Sequence, residues 1–423
     1  MNNNKTLRQL LAAALLSCLP LFCQAQIVTL TGNDVKALLN QPTSLYSFFS
    51  EKDGQLAPVP HQWVQWSKQG YPYFEKDKET ELAGKPGIID AEDRLMLRFE
   101  DGGTQTLSTR PTEDVVAQLK ITQGDQTRYF YVVKNAYLQS TERYVQFDPE
   151  HMVIKSTDFA LFMADHNLLM WNDFFYRGYK SPSGKRESIL DSLKLRLSAG
   201  LFGENNRITL DNSNLDPHVE QIIRGPLATL VYATTSVKVA RVTVLKIHNY
   251  FEVMPRQVDI HNRFTLPGIA DTVLDRPALD LSLDGNNLQG GKLVTSWTGN
   301  KVAVTDGKLS ATEKAMMAMP LEGDNWLWFG TGRGFDLLAQ LVFLKGFDTP
   351  VRLLYQDDNT LSNPPERFPG QQPNVGFSLT DIPFGKEFYF VARLFYSKDS
   401  NGEPPGVYAR HLLAEPRATL TVL

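Results

Sequence analysis

Residues 247–264 hold the densest set of side chains able to do acid–base chemistry: Ile247-His248-Asn249-Tyr250-Phe251-Glu252-Val253, then Met254-Pro255-Arg256-Gln257, then Val258-Asp259-Ile260-His261-Asn262-Arg263-Phe264. The middle four residues read as the turn of a hairpin. Side chains alternate along a strand, so His248, Tyr250 and Glu252 share one face, and Asp259, His261 and Arg263 share one face of the partner. One register sets His248 against His261 and Tyr250 against Asp259; a shift of two residues makes the histidines diagonal neighbours. Both registers bring all six polar groups to the same side. Ile247, Phe251, Val253, Val258, Ile260 and Phe264 then form the core-facing side, with Asn249 and Asn262 as polar intruders.

Two imidazoles, two carboxylates, a phenol and a guanidinium on one patch suit a polar, acidic substrate. His248, Tyr250 and His261 are the candidates for moving a proton, and Glu252, Asp259 and Arg263 for binding, with Arg263 gripping a carboxylate. The competing reading is a solvated outer sheet face decorated with cross-strand polar pairs. His248, His261 and Asp259 have zinc-ligand side chains, but no HExxH-like spacing supports a metal, and no cofactor is expected.

A second cluster, Asp165-His166-Asn167 with Trp171, Asp173, Tyr176 and Arg177, could present His166 at a cleft mouth and Trp171 for stacking on a ligand. Turn statistics favour the competing reading, a connecting turn whose Asp and Asn bond their own backbone. Gly330-Thr331-Gly332-Arg333-Gly334 lacks the glycine spacing of a nucleotide loop and reads as a hairpin turn. Asp211 to Asp216 lacks the glycine and terminal glutamate of a calcium loop, and no Gly-x-Ser-x-Gly elbow is present.

The elements that must position these groups are mostly strands. Thr127–Val133, Val237–Val253, Val258–Leu266, Trp326–Gly330, Leu337–Leu344, Val351–Tyr355 and Glu387–Tyr396 are rich in β-branched and aromatic residues. Leu193, Leu195 and Leu197 favour a strand over Leu190–Leu197. Short helices are expected over Gly32–Leu39, capped by Asn33, and over Glu113–Leu119. Four prolines between Asn363 and Pro373 mark a long surface loop, a common lining for a binding site. The fold class is all-β: a small N-terminal β domain over residues 26–150, then a large antiparallel β-sandwich over 151–423.

Residues 1–25 read as a signal peptide, with Lys5 and Arg8 before the apolar Leu10–Phe22 and cleavage after Ala25. The mature chain is then periplasmic or secreted and free of cysteine, because Cys18 and Cys23 both fall in the leader. Lipid attachment at Cys18 is the alternative; the apolar run continuing through Leu19 to Phe22 argues against it. A formal net charge of −4 with no Lys/Arg cluster speaks against nucleic acid. No later run reaches the roughly 18 apolar residues of a membrane helix. Aromatic content is 11%, enough to build a β core and to furnish platforms for sugar rings.

Val59-Pro60-His61-Gln62-Trp63-Val64-Gln65-Trp66, followed by Asp90-Ala91-Glu92-Asp93-Arg94-Leu95-Met96-Leu97-Arg98-Phe99, resembles a pattern near the start of exported β-rich proteins of the DUF4861 type. Ile222-Ile223-Arg224-Gly225-Pro226-Leu227 is similar to the Gly-Pro entry of their large sandwich; Arg94 stands where that pattern has Glu. The resemblance implies a small β domain before a galactose-mutarotase-like supersandwich, in a group associated with polysaccharide processing. It transfers no catalytic residue. Trp63 and Trp66 differ in parity, so at most one of them is free to stack on a sugar.

The expected function is an exported glycan-active protein, a lyase or hydrolase acting on a polar or acidic saccharide. The alternatives are a non-catalytic carbohydrate- or protein-binding envelope protein and an assembly factor without a small ligand; fold analogy does not choose among them.

Overall fold

The computed structural model describes residues 26–107, 114–134, 139–164, 167–343, 349–362, 364 and 366–423. The leader, Glu113, Asp165, His166, Leu344, Asn363 and Pro365 lie outside these.

The chain begins with β1 (Ile27–Thr31), β2 (Tyr46–Lys52), β3 (Gln55–Val59), β4 (His61–Val64), β5 (Arg94–Arg98), β6 (Val115–Gln123) and β7 (Gln126–Lys134). A three-stranded sheet runs β1-β5-β4, while β3, β2, β7 and β6 lie side by side in a second sheet. β8 (Val145–Asp148), β9 (Val153–Ser156), β10 (Phe159–Ala164) and β11 (Asn167–Tyr176) follow as a four-stranded meander.

Two larger sheets come next. They draw on β12 (Leu190–Leu201), β13 (Arg207–Leu210), β14 (Leu215–Arg224), β15 (Thr229–Val239), β16 (Val242–Met254), β17 (Gln257–Thr265) and β18 (Leu274–Gly285). They continue with β19 (Lys292–Thr295), β20 (Ala303–Val304), helix α1 (Ala311–Ala318), β21 (Trp326–Gly330), β22 (Asp336–Val342), β23 (Val351–Gln356), β24 (Asn374–Leu379) and β25 (Glu387–Ser397). Helix α2 (Pro405–Leu413) and β26 (Arg417–Val422) end the chain, and β26 returns to pair with β6 as the fifth strand of the second sheet.

One sheet has the order β13-β12-β18-β24-β23, and the other is nine-stranded, β14-β15-β16-β17-β25-β22-β21-β19-β20. Alternation explains how they meet. Leu193, Leu279 and Phe377 of the smaller sheet share one apolar core with Phe251, Ile260 and Phe390 of the larger. This is the all-β sandwich expected from the strand pattern.

Local readings were corrected in three places. Glu113–Leu119 is not helical over its described part: β6 starts at Val115, where Val115, Ala117, Leu119 and Ile121 are buried at a spacing of two. Residues 32–38 form a 3-10 helix capped by Thr31 and Asp34 rather than by Asn33. The run Val237–Val253 is broken by a tight turn at Ala240 and Arg241, whose φ angles of 47° and 72° no glycine announces.

The two stretches that carry the family resemblance meet in space. Gln62 Oε1 accepts hydrogen bonds from the Leu227 and Ala228 amides at 3.2 and 2.8 Å. A Cβ on Gly225 would lie 1.9 Å from that oxygen, so any larger residue there would push the Gln62 amide out of these bonds. Asp93, also buried, accepts the amides of Trp66 and Asp90, fixing the turn that launches β5. Trp63 packs against the first-sheet core while Trp66, beyond the end of β4, lines an open cleft.

Candidate functional site: a cleft over the nine-stranded sheet

The hairpin forms as β16 and β17, in the register that opposes His248 to Arg263, Tyr250 to His261 and Glu252 to Asp259. The histidines are therefore diagonal neighbours. Ile247, Phe251, Val253, Val258, Ile260 and Phe264 all enter the sandwich core. The intruding asparagines satisfy each other: Asn249 Nδ2 donates to Asn262 Oδ1 at 2.9 Å, and Thr235 donates to Asn249 at 2.6 Å.

The polar face is not the solvated surface of the competing reading. Residues 64–82 cover much of it, and Tyr71 and Phe74 pack on Tyr250, Tyr232 and Tyr389. This cover divides the six polar residues into two groups.

The first group is clamped under the cover. Tyr250 O–H donates to Asp77 Oδ2 at 2.5 Å and accepts from Arg263 Nε at 3.2 Å. Arg263 also reaches Glu79 at 3.1 Å and both Asp77 and Glu387 at 3.4 Å. His248 Nδ1 lies 2.9 Å from the Tyr232 hydroxyl and its Nε2 lies 3.2 Å from Glu79. Burial, reinforced by the Arg263 charge, lowers the His248 pKa, so the ring is held neutral. Burial opposes the Arg263 charge, but Tyr250, Asp77 and Glu387 outweigh it and hold the guanidinium protonated. His248, Tyr250 and Arg263 do not line the cleft. Their polar atoms are spent on joining residues 77–79 to the sheet.

The second group is open. His261, Glu252 and Asp259 lie on the floor of a cleft of about 740 Å³, together with Trp66, Tyr71, Arg94, Glu387, Tyr389 and Arg393. His261 Nε2 is 2.8 Å from Glu252 Oε1, and its Nδ1 is 2.5 Å from the Tyr389 hydroxyl. A phenol, an imidazole and a carboxylate thus stand in line. Burial raises the Tyr389 pKa, with the nearby Glu252 charge adding to it, so the phenol keeps its proton. Burial likewise raises Asp259, against the pull of Arg393, 3.5 Å away. Arg94 stacks its guanidinium over the Trp66 ring, 4.6 Å from the centroid, and forms no carboxylate ion pair among the described residues.

Trp171 belongs elsewhere. It is 2% exposed, bonds the Leu168 carbonyl and packs in the sandwich core, so it offers no stacking face. His166 lies outside the described residues. Sequence reasoning missed Tyr389, Glu387 and Arg393, although their spacing puts all three on one face of a strand that was recognised. Asp77, Glu79 and Arg94 carried no signal, because they reach the site from other segments.

One acidic group has metal-ligand geometry. Ligand oxygens of Asp191, Asp284 and Glu366 lie within 4.8 Å of one another on the outer side of the five-stranded sheet. The ammonium of the fully buried Lys194 bridges Asp284 and Glu366 and supplies the cation there. Arg367 pairs with Asp173 and bonds Asp191, which pins the proline-rich loop over this patch. The loop's described residues do not reach the cleft.

No family model and no curated protein sequence match the chain, so the DUF4861 resemblance gains no support from either. Among solved structures the chain is similar to an alpha-mannosidase from Enterococcus faecalis V583, with a TM-score of 0.47 and 9% identity over 94% of this chain. It is similar to a heparan sulfate lyase from Pedobacter heparinus (TM-score 0.29, 8% identity, 58% of this chain). A copper-containing benzylamine oxidase from Hansenula polymorpha also matches (TM-score 0.29, 9% identity, 92% of this chain and 80% of the oxidase). The chain spans 44% of the mannosidase and 33% of the lyase. At these identities and scores no residue or reaction passes from those proteins to this one.

Proposed function

We propose that this chain is an exported carbohydrate-active protein that takes a carboxylate-bearing saccharide into the cleft over the nine-stranded sheet. The observation that carries the reading is the Tyr389–His261–Glu252 line on the cleft floor, with Arg94, which has no carboxylate ion pair among the described residues, on its wall. A hydroxyl bonded to an imidazole that is itself held by a carboxylate is the arrangement that activates a weak acid for proton transfer. Arg94 supplies the anchor for a saccharide carboxylate, and the exposed part of Trp66 supplies apolar contact for a ring.

The chemistry this favours is elimination. Tyr389, relieved of its proton by His261, takes the hydrogen α to the substrate carboxylate. Arg94 stabilises the charge that develops on that carboxylate. The carbon–oxygen bond to the leaving sugar breaks, a double bond forms, and Asp259, whose protonated form burial favours, returns a proton to the leaving oxygen.

A binding protein without turnover is the second reading. It is favoured by His261, whose two ring nitrogens are both already engaged.

The test is to incubate the chain from Gln26 with acidic and neutral polysaccharides while following ultraviolet absorbance and melting temperature. New absorbance with an acidic glycan reports the conjugated double bond of an elimination product. A raised melting temperature without product supports the binding reading. No response to any glycan sinks both.

A further inference from the structure

Gln26, the residue after the expected cleavage point, has every one of its polar groups held. Its backbone nitrogen donates to Glu100 Oε1 at 3.2 Å, and its carbonyl accepts from the Phe99 amide at 2.9 Å. Its side-chain Nε2 donates to the Leu412 carbonyl at 3.1 Å, and its Oε1 accepts from Gln123 at 3.1 Å. An ordinary strand entry needs none of this.

The carboxylate facing the Gln26 nitrogen is short of a cation. Glu100 is mostly buried, and its Oε2 has no hydrogen-bond partner among the described residues. Arg98 lies 3.6 Å from that oxygen but is committed at 3.1 Å to Asp101, which also accepts from the Tyr144 hydroxyl. Arg256, the next guanidinium, is paired with Asp158 at 3.0 Å. Among the described residues Glu100, Asp101 and Asp158 thus share two guanidiniums, with Glu142 adding a further carboxylate beside the Tyr144 hydroxyl, so Glu100 has no guanidinium to itself. Burial accordingly pushes Glu100 up to about 7, even with Arg98 and the Gln26 amide pulling it down.

We propose that Glu100 is the seat for a new chain terminus, and that cleavage after Ala25 completes its ion pair. Hydrolysis adds water across the Ala25–Gln26 amide, leaving a carboxylate on Ala25 and an amine on Gln26 that takes up a proton. The resulting ammonium stands where the amide nitrogen now donates, and Glu100 gains a cation that it does not share with Asp101. The partner is a leader peptidase that accepts small residues before the cut. The inference rests on the leader ending at Ala25 and not on the chemistry of the cleft.

The experiment compares a chain released in vitro to begin at Gln26 with one bearing a short Gly/Ser extension before it. Each is made with Glu100 and with Glu100→Gln, and intact mass confirms that Gln26 is uncyclised. A charge-assisted hydrogen bond of this kind is worth about 10- to 100-fold in the folding equilibrium. The extension is therefore expected to raise the unfolding constant at least about tenfold in the Glu100 protein and to leave the Glu100→Gln protein unchanged. The difference should fade above the amine's ordinary pKa of about 8, as the ammonium is lost. Acylation of the folded Gln26 amine should be slow with Glu100 and faster in Glu100→Gln, a readout that survives a poorly folding extension. An equal effect of the extension in both backgrounds, or none in either, overturns the ion pair. Sequencing the exported protein checks the cut itself, and a terminus other than Gln26 overturns the maturation step.

Discussion

Glu252 and His261 belong to different rungs of the β16–β17 ladder, yet their side chains meet at 2.8 Å. Glu252 opposes Asp259 and His261 opposes Tyr250, so the contact is diagonal. The diagonal leaves Asp259 to Gln257 and Arg393, and frees Tyr250 for Asp77. One choice of register therefore separates a cleft-facing acid–base line from a clamp buried beside it.

Tyr389→Phe is expected to lower turnover on an acidic glycan by about 10²- to 10⁴-fold, the usual range for a general acid–base group. Stability should fall by only about 1 kcal/mol, because a single hydrogen bond is lost. Steady-state kinetics beside urea unfolding checks both; unchanged turnover removes Tyr389 from the reaction.

His261→Ala is expected to cost more in stability, about 1–3 kcal/mol, because it leaves the buried Glu252 and Tyr389 without their shared partner. His261→Gln can keep part of the bonding and should recover stability without recovering turnover. If both variants turn over normally, the proton line is wrong.

Arg94→Ala should weaken binding of an acidic saccharide by about 10- to 100-fold, the worth of a charged hydrogen bond, and leave a neutral one unaffected. Arg94→Lys should restore only part, since an ammonium cannot grip a carboxylate at two points. Titration calorimetry with a matched acidic and neutral pair decides it. Equal losses for the two sugars would remove the anion anchor.

Arg263→Met should destabilise the protein by about 3–5 kcal/mol, because Asp77 and Glu387 stay behind without their cation. The segment over residues 64–82 should then become the earliest site of proteolytic nicking. A variant with unchanged denaturant midpoint and digestion pattern would show that the clamp is not what holds the cover.

His61 gives a pH signature of known sign. Burial lowers its folded pKa to about 4, against an ordinary value near 6.5. The unfolded chain thus binds the extra proton between these values, and the contribution is fully present above pH 6.5 and lost as pH falls towards 4. Wild type should lose up to about 3 kcal/mol over that window relative to His61→Gln. Parallel unfolding curves at pH 7 and pH 4.5 test this, and a constant difference would contradict it.

Much of the fold was legible because alternation is a local signal. The faces of β16 and β17 follow from residue types two apart, and the core they build is the one those types require. The site was legible in part. Asp77 and Arg263 are 186 residues apart and Tyr389 and His261 are 128 apart, and no spacing rule links such pairs. The covering segment was invisible for the same reason, so half of a face that looked wet, His248, Tyr250 and Arg263, is covered. Trp171 misled because an aromatic in a polar stretch has the same appearance whether it binds or packs.

The pairing of β26 with β6 has a consequence for when the molecule can form. The second sheet takes its outermost strand from residues 417–422, some three hundred residues after its neighbour has been made. During synthesis that edge of β6 stands open until residues 417–422 emerge, and the contact closes a long loop that must wait for every strand between them. A variant lacking residues 417–422 would leave that edge of β6 ready to pair with a strand from another molecule.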